Sequence, residues 1–230
     1  TTSSQNNPAS GGFVPTATSS MTPATHTATG VAPSVKATTN VVTVATDVLN
    51  VTINKRGGDI IASNLPKYPV SLQTPKQAMP ILSSAPGHYY VVQTGISNVA
   101  KPNKIPLYSS SQRQYRLANG EQALAVTLTA QEGPLQISKT YHFNRGKYQV
   151  QVDTKIKNIT SRPWSGRFYY QIARQEPAHH FGSMAYNGAA ISSPEVPYHK
   201  LKYKSLLETP VQQTITGGWI AMQQHYFLKF

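Results

Sequence analysis

The 230-residue chain contains no cysteine. That absence excludes a disulfide framework, a thiolate zinc site and a cysteine nucleophile together, and it leaves the compartment open. Acidic residues are scarce: 8 Asp and Glu stand against 21 Lys and Arg, for a formal net charge of +13. No stretch approaches the roughly 18 consecutive apolar residues that a membrane-spanning helix needs. The first residues lack the basic start and apolar centre of a signal peptide. Taken alone, the sequence reads as a soluble chain or as a piece of a longer one. Amphipathic helical periodicity is nearly absent, and no internal repeat is visible. A chain of this length buries roughly 70% of its unfolded surface, so it needs neither metal nor crosslink to fold.

The excess of positive charge suggests an anionic neighbour: nucleic acid, a lipid surface or an acidic protein. Its distribution argues against a dedicated nucleic-acid groove. Lys and Arg are scattered singly through strand-like segments, and no basic stripe or nucleic-acid motif is present. The densest cluster is Lys200, Lys202 and Lys204, interleaved with Leu201 and Tyr203. The charge is read as a solubilising or diffuse surface feature, with no nucleic-acid partner.

Residues 1–40 differ from the rest. They are rich in Thr, Ser, Ala, Pro and Gly, with Lys36 the one Lys or Arg and no acid. Such a segment has too little apolar surface to offset the entropy of ordering it. Pro8, Pro15, Pro23 and Pro33 keep it partly extended. It is expected to be a disordered tether, and residues 41–230 a folded β-domain.

From Val41 the pattern is that of strands. Val42 and Val44 alternate with polar neighbours, and Val48 to Ile53 runs into Arg56-Gly57-Gly58-Asp59. The glycine pair supplies positive φ at a reversal. Asn119-Gly120 is the strongest short hairpin signal, followed by Leu124, Val126 and Leu128 on one face. Leu135 to Phe143 forms another strand. Tyr148, Val150, Val152, Thr154 and Ile156 then alternate with polar residues, and Phe168, Tyr170 and Ile172 repeat the theme. Segments 62–87 and 95–111, each with several prolines, read as excursions from the sheets. Gly217 to Phe230 fits either a helix or a strand, since short apolar runs cannot be separated by periodicity. Many short strands with regular turn signals give an all-β sandwich or barrel.

Candidate chemistry is thin. His179-His180, with Glu176 nearby, lacks a third and fourth metal ligand, and adjacent histidines on a strand point to opposite faces. No Gly-x-Ser-x-Gly elbow and no phosphate-binding glycine loop occurs. Tyr89-Tyr90 and Tyr169-Tyr170 fit a stacking platform, or cross-strand core packing with hydroxyls at the rim. The residues describe a basic, tethered, noncatalytic β-domain with no cofactor and no metal.

Four collinear stretches carry a resemblance. They are Thr46 to Ile60 with its Arg56-Gly57-Gly58-Asp59 turn, Lys139 to Val150 around Arg145-Gly146, Gly188 to Glu195 with Tyr198 to Lys204, and Gly217-Gly218-Trp219 to Phe227. Together they resemble the periplasmic domain of YidC-type membrane protein insertases of Gram-negative bacteria. The resemblance implies a β-supersandwich of antiparallel sheets, related to the aldose epimerases. It implies a transmembrane helix before Thr1 and a five-helix insertase core after this domain, in the inner membrane with the domain facing the periplasm. The family's domain continues for several strands past the last matched segment, so a sandwich truncated at its C-terminus is expected. The implied partners are membrane-protein clients and the Sec translocon with its accessory membrane subunits. Contact is expected within residues 186–230, at Tyr198, Lys200, Lys202 and Lys204, while Trp219, Tyr226 and Phe227 read as core. The fold relationship keeps a carbohydrate-binding or epimerase-like module as the rival reading.

The tether reading is testable by deletion. Removing Thr1–Thr39 should leave the melting temperature unchanged. A large drop would show that the segment packs on the domain.

Overall fold

Branched and aromatic residues at every second position favour a pleated, half-buried chain, and the computed structural model is built almost wholly of strands. It describes residues 40–97, 105–175, 186, 188–224 and 227–229. β1 (Val41–Ala45), β2 (Asn50–Asn54) and β3 (Asp59–Pro69) form an antiparallel meander, with Val42 opposite Ile53 and Val44 opposite Val51. β4 (Ala78–Leu82) folds back on β3, and β5 (Tyr90–Ser97) meets β3 at Ile60 and Val92. After the short β6 (Ser109–Ser110), β7 (Gln114–Arg116) runs parallel to β1. β8 (Ala123–Glu132), β9 (Leu135–Asn144) and β10 (Val150–Asn158) make a second meander, and β11 (Arg167–Arg174) pairs along all of β5. β12 (Gly188–Ser192), β13 (His199–Leu201), the short helix α1 (Tyr203–Glu208), β14 (Trp219–Gln224) and β15 (Phe227–Lys229) follow.

Three sheets result. The first is seven-stranded, in the order β11-β5-β3-β2-β1-β7 with β4 also on β3. The second has the order β10-β9-β8-β6, and the third β13-β12-β14-β15. Inward residues of the first and second sheets interleave in one core: Val42, Val44, Val51 and Ile53 against Val126, Leu128, Ile137 and Phe143. Each such side chain contributes about 1.5–3 kcal/mol of burial. The arrangement is all-β and sandwich-like, as the alternation implies.

Three expectations change in detail. Asn119-Gly120 does make a turn, with Gly120 at φ +88, but β7 and β8 lie in different sheets, so the turn joins layers and not hairpin partners. Segment 62–87 is a paired excursion and not an irregular one: β3 runs past its pairing with β2 and folds back on β4 as a hairpin. The ambiguous C-terminal segment forms strands, because β14 pairs with β12 from Ser192–Trp219 to Gly188–Gln223. Tyr226 and Phe230 lie outside the described residues.

One polar residue sits inside the core. Alternation on β9 places Lys139 in the same row as Ile137 and Tyr141, and it is only 1% exposed. Its ammonium donates to the Gly57 carbonyl at 2.6 Å, the Thr94 carbonyl at 2.6 Å and Thr94 Oγ1 at 2.8 Å. It lies 5.3 Å from the centre of the Tyr108 ring. The Tyr141 hydroxyl donates to the Gly58 carbonyl. Asp59 accepts from Gln93 Nε2 at 3.1 Å and from the Thr94 amide at 3.3 Å. The Arg56-Gly57-Gly58-Asp59 turn of the first sheet is thereby fastened to the middle of the second. Gly57 and Gly58 hold φ of +86 and +69. A Cβ on Gly58 would stand 2.9 Å from Lys139 Cδ and 3.0 Å from the Tyr141 oxygen. Arg56 itself is exposed, its amide held by Asn54 Oδ1 at 2.9 Å.

Burial pushes the Lys139 ammonium down to about 8, against the pull of the Asp59 charge. Burial likewise raises Asp59, with the Gln93 bond, Lys139 and the Thr94 amide opposing. Between about pH 8 and 10 the unfolded chain keeps a proton on Lys139 that the folded chain gives up. Stability therefore rises with pH across that window. Tyr108 and Tyr141, raised by burial, act in the opposite sense above it.

Two variants test this fastening. Gly58→Val should cost on the order of 1–3 kcal/mol in backbone strain, measured by urea unfolding, and a thermally neutral variant would overturn the tight-turn reading. Lys139→Met leaves Asp59 without its counter-charge and two carbonyls without a donor, and should cost on the order of 3 kcal/mol at neutral pH. The wild type should gain stability from pH 8 to 10 relative to this variant. Parallel pH profiles for the two proteins would remove Lys139 as the titrating group.

Candidate functional site

The third sheet is built on small residues. Ala190 on β12 is paired with Lys200 on β13 and Ala221 on β14, and Ser192 is paired with Trp219. Paired residues share a face, so Lys200, Ala190 and Ala221 share one, and period-two spacing adds Trp219 and Ser192 to it. The small side chains are buried while the large ones stand over them. Gly188 is fixed by the same crowding: a Cβ there would be 2.6 Å from the Tyr186 oxygen and 2.9 Å from the Leu201 carbonyl. The Tyr186 hydroxyl donates to the Ala189 carbonyl at 2.6 Å.

On this base sits an aromatic and cationic cluster. The Tyr198 and Trp219 rings lie 6.2 Å apart at 43°. The Lys200 ammonium stands 5.0 Å from the Tyr186 ring centre and 5.8 Å from that of Tyr198, within cation–π range. The Tyr198 hydroxyl donates to Gln223 Oε1. Trp219 is 37% exposed and Tyr198 42%, so Trp219 is a half-open surface residue and not the core residue expected. Gly217 and Gly218 (φ +76 and +143) let the chain enter β14 so close to β12 that a Cβ on Gly218 would lie 2.2 Å from the Ser192 carbonyl.

The three lysines do not share one strand. β13 ends at Leu201. Lys202 is the N-cap of α1 and Lys204 lies within it, so the stretch from Tyr198 to Lys204 that carries the resemblance divides between β13 and α1. The Lys202 carbonyl accepts from the Leu206 amide at 3.1 Å, and Pro210 follows the helix end, where no helix could continue. All three lysines are exposed, and among the described residues none forms an ion pair.

The opposite side of the third sheet is tied to the first. The Arg174 guanidinium lies 5.0 Å from the Tyr90 ring centre and 5.9 Å from that of Tyr203, and donates to the Gln223 carbonyl at 3.1 Å. The Tyr203 hydroxyl reaches the Met222 sulfur at 3.4 Å. Burial raises the Tyr90 phenol strongly, with Arg174 opposing. Sequence reasoning missed Arg174 and Lys139. Strand parity marks Lys139, whereas nothing local marks Arg174. Of the tyrosine pairs, Tyr90 is core at 4% exposure and Tyr170 is open at 64%.

Glu176, His179 and His180 lie outside the described residues. Among the described residues, no group of three His, Cys, Asp or Glu side chains is placed to hold a metal ion. No helix of the described residues is long and apolar enough to cross a membrane.

Residues 41–229 match the family profile of the YidC periplasmic domain. The chain is 45% identical over 193 residues to the membrane protein insertase YidC of Coxiella burnetii (strain Dugway 5J108-111), covering 82% of this chain and 34% of that protein. It is 39% identical to the membrane protein insertase YidC of Alcanivorax borkumensis, over 81% of this chain and 34% of that one. For the protein of the same name from Azotobacter vinelandii the identity is 34%, over 82% and 36%. The chain thus spans about a third of the length of these relatives. The match runs from the first strand through the Arg56–Asp59 turn and the third sheet to β15, and the chain belongs to the YidC periplasmic domain family.

Proposed function

We propose that this chain is the noncatalytic periplasmic part of a membrane protein insertase and chaperone. It is held at the bacterial inner membrane by residues 1–40 as a tether, with residues 41–230 as the folded domain. Its role is to bring partners to the insertase: client membrane proteins, and the Sec translocon with its accessory membrane subunits. Family membership and the names of the relatives support the insertase setting. The observation that carries the docking role is the exposed Tyr198–Trp219 pair with Lys200 stacked beside it. Aromatic residues are enriched at the centre of protein contact surfaces. They are held here by cation–π and hydrogen-bond contacts, so little side-chain entropy is lost on binding. Lys202 and Lys204 extend the positive edge toward α1 and fit an acidic surface.

The exposed Tyr198–Trp219 pair also suits a sugar ring, which keeps the epimerase-like reading in view. Calorimetry with a sugar panel separates the two, since a docking domain gives no specific heat.

The docking role has a direct test in cells. Lys200→Glu with Lys202→Glu and Lys204→Glu should weaken co-purification of the tagged full-length insertase with the accessory Sec subunits by roughly ten-fold, through lost charge complementarity. The melting temperature should not change. Photo-crosslinkers at exposed positions within 186–204 should capture those subunits. Crosslinks that arise only from residues 112–130 would overturn the placement.

A further inference from the structure

The β3–β4 hairpin outruns its sheet. β3 leaves its pairing with β2 at Asn64, and its last residues pair with β4 alone among the described residues. The tip is nonetheless ordered by its own backbone. The Val70 amide donates to the Gln77 carbonyl at 2.8 Å, Thr74 to Ser71 at 3.1 Å and Gln77 to Thr74 at 3.0 Å. The Ser71 and Thr74 hydroxyls meet at 2.9 Å. Pro66, Pro69 and Pro75 stiffen it further.

This rigid arm presents apolar side chains to water. Tyr68, Val70 and Leu72, at alternate positions, are 51%, 40% and 91% exposed. Leu72 contributes almost nothing to the core, so packing gives no reason for a leucine there. The surroundings are basic. Lys67 and Lys76 flank the tip, and from Ile60 to Gly120 the chain holds no acidic residue. The Tyr68 hydroxyl lies near that of Tyr148, in the turn between β9 and β10. The nearby Asp47 carboxylate is already engaged by the Gly146 amide at 3.1 Å.

We propose that the β3–β4 arm contacts the surface of an anionic phospholipid bilayer, with Leu72 and Val70 entering the headgroup boundary and Lys67 and Lys76 facing the lipid phosphates. Lysines around exposed apolar side chains are the chemistry of interfacial attachment. A protein partner fits less well. A stable protein interface buries roughly 800 Å² per side, which a narrow projecting turn does not offer, whereas a bilayer needs no complementary groove. The contact is measurable on vesicles by itself and is strengthened when the domain is already held near the membrane. In that respect it rests on the insertase reading above.

The chain lacks cysteine, so a single introduced thiol labels cleanly. The 230-residue protein carrying Leu72→Cys with an environment-sensitive fluorophore is mixed with vesicles of 70% phosphatidylethanolamine and 30% phosphatidylglycerol, or of pure phosphatidylcholine. Emission should rise at least two-fold with the anionic vesicles alone, and a Ser161→Cys control should not respond. Leu72→Asp, and separately Lys67→Glu with Lys76→Glu, should each lower vesicle co-sedimentation at least ten-fold at unchanged melting temperature. The proposal fails if no vesicle binds, or if these variants bind as the wild type does. It fails equally if the fluorophore responds to an apolar client peptide and not to lipid. If the Lys200, Lys202 and Lys204 reversal alone abolishes binding, the third sheet and not the arm faces the bilayer. Each of these results leaves the insertase reading standing, because co-purification with the accessory subunits tests that separately.

Discussion

The Lys139 ammonium must be solvated inside a hydrophobic core, and the first two sheets are arranged to do it. A buried cation without partners costs several kcal/mol. The partners available are carbonyls of the first sheet, and they converge on Lys139 only if the chain turns sharply between β2 and β3. Gly57 and Gly58 make that turn, and their positive φ aims the Gly57 carbonyl at the ammonium and the Gly58 carbonyl at Tyr141. Thr94 supplies the remaining acceptors from β5. One side chain of the second sheet thus fixes the register of three elements of the first. This is an electrostatic lock on top of the apolar interleaving of Val42, Ile53, Val126 and Phe143.

A second cation does related work at the other junction. Arg174 ends β11 and lies against Tyr90 of the first sheet and Tyr203 of α1, while donating to a carbonyl of β14. Through it the third sheet is oriented against the first. The outward cluster of Tyr198, Lys200 and Trp219 therefore stands on a sheet whose rear is held. A surface cluster held in this way is preorganised, and preorganisation reduces what any binding there would give up in ordering.

The strands at β1, β2 and β8 to β10 were legible because their period is two, and the inward Val42, Val44, Val126, Leu128, Ile137 and Phe143 follow from alternation, whereas buried Leu65, Leu82 and Tyr108 lie in segments read as excursions. The position of Lys139 follows from the same count, since 137, 139 and 141 share a face. What could not be read was why a lysine is tolerated there. Its partners come from residues 57 and 94, and no local pattern links them to 139. The same limit applies to Asn119-Gly120. Its turn chemistry is local and was correct, but the sheets that the turn joins are decided by long-range pairing. At Tyr198 to Lys204 the resemblance marked one continuous stretch, while the chain leaves β13 at Leu201 and closes into a short helix ahead of Pro210. The resemblance located the third-sheet motifs, but it could not say that Trp219 would stand half-open to solvent.

Clusters of perturbed titratable groups usually mark reactive sites, and Lys139, Asp59, Tyr108 and Tyr141 form such a cluster. Geometry argues against chemistry here. Every hydrogen bond of the Lys139 ammonium goes to a backbone or threonine oxygen already in place, and its three protons are used. Gly58 approaches the Lys139 stem and the Tyr141 oxygen so closely that even a methyl group would not fit, which leaves no room for a reacting molecule. The perturbation comes from burial, and its product is a fixed turn. The charges free to act on something else are the exposed ones: Lys67 and Lys76 on the β3–β4 arm, and Lys200, Lys202 and Lys204 at the third sheet. Their freedom follows from the scarcity of acids with which the sequence began. Eight carboxylates cannot neutralise 21 cations, and Asp47, Asp59 and Asp153 already accept bonds within the fold. The surplus positive charge is therefore left at the surface, without carboxylates of the domain itself to neutralise it.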